Sequence, residues 1–84
     1  QGEWNQLSDL FSEMLPNFEK RLRDAVDLRE EEWNMCMLQK LDFKAKEIEL
    51  LTGINPSVTS NRLAKKGINE NSGATEWRQF LKEI

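Results

Sequence analysis

The chain has 84 residues, 38% of them hydrophobic and 32% charged, with 12 basic and 15 acidic side chains and a net charge of −3. That length allows one domain with a modest core, and the composition is that of a folded chain, not a disordered one. One cysteine and no histidine exclude a Cys/His zinc site, a histidine-based nucleophilic triad and a disulfide framework, the last in keeping with a reducing cytoplasm.

Two prolines, four glycines and few β-branched residues predict an all-α fold, a small bundle of five or six helices. No stretch approaches the ~20 apolar residues of a membrane span. No secretory leader is visible, so a cytoplasmic location is expected, and Gln1-Gly2 is set aside as a cloning remnant.

The first helix is predicted over Glu3 to Met14. Trp4, Leu7, Phe11 and Met14 follow spacings of 3, 4 and 3, the a/d phase of a heptad, and Leu10 widens the stripe. Such a seam packs either on its own domain or on a partner helix. Residues 1–15 are therefore expected to form an N-terminal helix, a linker or dimerisation end, with Trp4, Leu7, Phe11 and Met14 as its dimer or partner face. Residues 16–84 form the domain proper. Pro16 ends the first helix and starts the second, whose apolar stripe is Phe18, Leu22, Ala25 and Val26.

The third helix is predicted from Arg29 to Leu41. Glu30, Glu31 and Glu32 fall in its first turn, where negative charge complements the unpaired N–H groups; about 100° apart on the helix, they cannot converge on one metal ion. Trp33, Met35, Cys36, Met37, Leu38 and Leu41 make this the central buried helix. Cys36 reads as a small buried hydrophobe, the alternative being a redox or catalytic thiol.

Lys44 to Lys66 reads as two short helices joined by a glycine turn. Ile48 and Leu51 are the inward residues of Lys44 to Thr52. Gly53 stops that helix by adopting positive φ, and Asn55-Pro56 restarts the chain as N-cap and first helical residue, so Ser57 to Lys66 forms the second helix of the pair. Gly67 to Gly73 is a surface loop. Trp77, Phe80, Leu81 and Ile84, at i, i+3, i+4 and i+7, mark a final helix, with Trp77 a packing residue and not a base-stacking one.

Charge is segregated along the chain. Residues 1–34 hold nine acids and four bases, whereas 44–66 hold Lys44, Lys46, Arg62, Lys65 and Lys66 against Glu47 and Glu49. Either these are ordinary solvated faces or the basic segment meets a polyanion.

Glu47-Ile48, Leu51, Gly53-Ile54-Asn55-Pro56, Val58, Arg62-Leu63 and Lys65-Lys66 resemble the line of LuxR-type helix-turn-helix domains. More narrowly, the chain from Leu15-Pro16 through its closing GATEWRQFLKEI is similar to the C-terminal domain of Bacteroidetes regulators that carry helical (TPR-type) repeats. It departs from the family line at Glu49, where a small residue is usual, at Thr52, where Leu is usual, and in a shorter segment between Val58 and Arg62. The resemblance implies a winged-helix-like, DNA-binding module of a bacterial transcription regulator, acting on double-stranded DNA, with homodimerisation common and no cofactor. Placing Val58 and Leu63 inward on the second motif helix leaves Ser57, Ser60, Asn61 and Ala64 as the base-reading face and Lys44, Lys46, Arg62, Lys65 and Lys66 as phosphate contacts. The alternative is a degenerate helix-turn-helix domain that acts as a protein interaction or dimerisation module. No nucleophile, base or phosphate loop marks an enzyme.

Overall fold

A computed structural model describes residues 2–84; Gln1, set aside above, lies outside them. The described residues form six helices and no strand: α1 Gly2–Met14, α2 Pro16–Ala25, α3 Glu30–Lys40, α4 Ala45–Thr52, α5 Pro56–Gly67 and α6 Ala74–Glu83. The fold is therefore all-α, with α4 and α5 joined by the three-residue turn Gly53-Ile54-Asn55.

The helix α3 sits at the centre because it is apolar on almost every side. Trp33, Met35, Cys36, Met37 and Leu38 are all buried, as a helix without a polar face must be. Its first turn is closed by Glu32, whose carboxylate accepts the Arg29 backbone N–H at 2.9 Å. At its other end the Lys40 ammonium donates to the carbonyls of Leu81 and Lys82 at 2.9 and 3.2 Å, which caps α6 and ties it to α3. Lys40 also lies over the Phe18 ring, 5.3 Å from its centroid, so its stem packs while its charge is satisfied.

The first helix is part of this core. Phe11 is buried and packs edge-on against Phe18 and Trp33, with centroids 5.3 and 6.1 Å apart, a geometry favoured by the ring quadrupoles. The Trp33 indole N–H donates to Ser8 Oγ at 3.0 Å, and Trp4 packs half-buried against the same cluster. The expectation that this seam is a partner face is corrected for Phe11, which has no surface left to offer. The radius of gyration, 11.9 Å, equals the roughly 12 Å expected of a compact chain of this length, so no helix projects from the body.

The long arm of the core is α6. Trp77 and Leu81 are fully or almost fully buried, with Phe80 and Ile84 packed at the edge. A Cβ on Gly67 would stand 3.3 Å from Trp77 Cζ3 and 3.3 Å from Val26 Cβ, so the end of α5 lies tight against the indole and a side chain there would require its neighbours to give way slightly. Two expected inward residues are not inward: Leu41 and Leu51 are 45% and 53% exposed. Leu41 follows the last turn of α3, where the chain reverses through Asp42 at φ 70°, and α4 turns only Ile48 fully into the core.

Candidate functional site

The pair α4–α5 owes its geometry to three short-range devices. Gly53 takes φ 75° with nothing within 4 Å of the position a Cβ would fill, so glycine serves conformation here and not space. Thr52 Oγ1 donates to the Ile48 carbonyl at 2.7 Å and accepts the Ile54 N–H at 3.1 Å, which gives Thr52 a role in closing the turn. Asn55 Oδ1 accepts the Ser57 and Val58 N–H groups at 3.0 and 3.4 Å, the N-cap read from the sequence.

The orientation of α5 differs from the expected one. Pro56, Ser60, Leu63 and Ala64 are buried, and Val58 is 67% exposed. These inward residues recur at i, i+4, i+7 and i+8, a regular helical stripe, whereas Val58 and Leu63, five apart, were never on one side. Ser60 and Ala64 are therefore corrected from base-reading to core positions. Their small side chains let α5 approach its neighbours, and the Ser60 hydroxyl accepts a hydrogen bond from Gln39 Nε2 at 3.0 Å. Asn61 is exposed, but its Oδ1 accepts the Ala74 N–H at 2.8 Å and so stitches α5 to the start of α6. Only Ser57 of the four stands exposed and unengaged by its side chain.

The five expected phosphate contacts divide in the same way. The Arg62 guanidinium pairs with the Glu32 carboxylate of α3, whose side chain is 3% exposed. Lys65 donates to the backbone carbonyls of Ser72 and Glu70 at 3.1 and 3.5 Å, pinning the α5–α6 loop. Lys44, Lys46 and Lys66 are exposed and carry no ion pair among the described residues. Glu32 is the residue that sequence reasoning read least completely. Burial raises the pKa of its carboxyl, but the Arg29 N–H and the guanidinium groups of Arg62 and Arg29 outweigh that and hold it below its ordinary value. Its signal in the sequence was only its place in the first turn; the partner lies 30 residues away.

Cys36 is a core residue. Burial pushes its thiol up to about 12, the Trp77 indole N–H acting in the other direction, so almost no thiolate exists near neutral pH. Among the described residues no group of acids or cysteine is placed to hold a metal ion, and none of their helices is long and apolar enough to cross a membrane.

The outward side of α5 that results carries Ser57, Val58, Asn61, Arg62, Lys65 and Lys66. It contains no acid, in a chain whose acids outnumber its bases. No family model, no curated protein and no solved structure matches this chain.

Proposed function

We propose that the chain is a DNA-binding module of a bacterial transcription regulator, related to the LuxR-type helix-turn-helix domains it resembles, with α5 presented to the major groove. The observation that carries this reading is that α5 has no acid on its outer face, with Lys66 open on it and Lys44 and Lys46 open at the start of α4. A helix fits the major groove, and lysines at its rim neutralise phosphates without choosing sequence. Ser57, the exposed Val58 and the amide nitrogen of Asn61 are the groups left to meet base edges, Val58 by contact with a thymine methyl. Arg62 and Lys65 share that outer side but are engaged by Glu32 and by the α5–α6 loop, so they fix the helix and are not counted as phosphate contacts.

Three open lysines set the expected salt dependence. Affinity for a random duplex, measured by fluorescence anisotropy between 50 and 200 mM salt, is expected to fall with a log–log slope of about −3, and Lys46→Ala with Lys66→Ala to flatten it to about −1. Absent duplex binding, or binding indifferent to salt, would overturn the proposal. A second reading has its own observation: Leu50, Leu51 and Val58, respectively 87%, 53% and 67% exposed, give the same helix pair apolar surface suited to a protein partner. Binding of a duplex unaffected by the two lysine replacements would favour that reading.

A further inference from the structure

We infer that Glu32 is an internal mask for Arg62: its carboxylate engages the only arginine of α5 and keeps that charge from phosphate, so that it limits how many phosphates the domain neutralises. This rests on the DNA-binding reading. Val58, Arg62 and Lys66 follow one another at i, i+4 and i+8 and form one row on α5. Val58 is 67% exposed and Lys66 is open, so the row faces outward. Arg62 stands in its middle with its side chain 42% exposed. It has the position of a polyanion contact, yet its charge is directed to α3.

The mask is fixed independently of the group it covers. Glu32 is 3% exposed as a side chain, its Oε1 accepts the Arg29 backbone N–H at 2.9 Å, and its Oε2 accepts Arg29 Nη2 at 3.3 Å. That same Oε2 accepts Arg62 Nη2. Glu32 titrates below its ordinary value and is ionised at neutral pH, so the bond to Arg62 is charge-assisted on both sides. An arginine already neutralised within its own chain displaces no counterion when a duplex arrives. Lys66, one turn on, carries no ion pair among the described residues and keeps that capacity. A brace between α3 and α5 needs only an acceptor, which an amide at position 32 would also supply; the carboxylate in addition cancels a cation on the side that meets DNA. Arg29 has a second acid, Glu31, at 3.6 Å, so Arg62 is the charge that loss of the Glu32 carboxylate sets free.

The test compares the salt dependence of binding to a random-sequence duplex for the whole chain and three variants. Glu32→Gln keeps an oxygen for the Arg29 N–H and removes the charge. It is expected to bind about tenfold tighter than the parent at about 50 mM salt, with a log–log slope steeper by about one unit. Adding Arg62→Gln to it should return the slope to that of the parent. Arg62→Gln alone should leave the parent slope as it is, a result that does not depend on the Glu32 variant folding. Three outcomes would overturn the inference: the parent slope in folded Glu32→Gln, a gain that survives the added Arg62→Gln, or a slope flattened by about one unit in Arg62→Gln alone. Absence of duplex binding by the parent and every variant would instead remove the DNA-binding reading, and this inference with it.

Discussion

Trp77→Ala is expected to remove about 3–5 kcal/mol of stability from a domain of this size that holds roughly 4–12 in all. Trp77 is fully buried, its indole lies against Gly67 and stacks at a tilt on Phe80 with centroids 5.4 Å apart. Alanine leaves a void that α3, α5 and α6 cannot close, because α3 and α5 are already fixed to each other through Glu32 and Arg62. In thermal unfolding the loss corresponds to a fall of roughly 15–30 °C for a chain this short. Trp77→Phe keeps a ring in the site and is expected to cost about 1–2 kcal/mol. An alanine variant within about 1 kcal/mol of the parent would show that α6 is not an integral wall of the core.

Glu32→Ala is the second large effect. It opens the first turn of α3, by losing the acceptor of the Arg29 N–H, and frees Arg62. Because the arginine side chain is 42% exposed and can be rehydrated, the cost is about 2–3 kcal/mol, below that of breaking a fully buried pair. The pH dependence follows from the sign of the shift. Glu32 is held below its ordinary value of 4.5, so its contribution is complete above that value and is lost as pH falls through the lower folded one. Melting temperatures measured from pH 7 down to about pH 3 should therefore fall less steeply for Glu32→Ala than for the parent. Equal slopes would mean that the carboxylate is not the group whose protonation loosens α3 from α5.

Helices α3 and α6 were legible because their apolar patterns leave no choice of face. In α3 apolar residues surround the axis; in α6 Trp77, Phe80, Leu81 and Ile84 repeat at helical spacing, and the helix starts within a residue or two of the position expected. Gly53 and Asn55-Pro56 were equally readable, since positive φ and N-capping are local properties of a few residues. The rotation of α5 was not. Its inward stripe is Pro56, Ser60, Leu63, Ala64 and Gly67; Leu63 apart, these are residues not conspicuous by hydrophobicity, and of the two large candidates only Leu63 faces in while Val58 faces out. Close helix approach selects small side chains, which a reading by apolarity assigns to the surface.

The same limit shaped the candidate site. Arg62, Lys65 and Asn61 look like free polar groups in the sequence, and each has a partner supplied by a distant segment: Glu32, the 70–72 loop and the first turn of α6. Lys44, Lys46 and Lys66 are exposed and form no ion pair among the described residues. At the first helix the heptad spacing was read as a dimer or partner face, but for Phe11 the partner is Phe18 and Trp33 of the same chain, while Met14 of the same seam stays exposed.

The most direct measurement is an amide chemical-shift map of the whole chain on adding a random-sequence duplex at low salt. The DNA-binding account predicts shifts gathered at Lys44 to Lys46, Ser57, Val58, Asn61 and Lys66, receding as salt is raised, with the outward residues of α1, Leu10 and Met14, unmoved. No shifts, or shifts confined to α1 or to Leu50 and Leu51 and insensitive to salt, would contradict it.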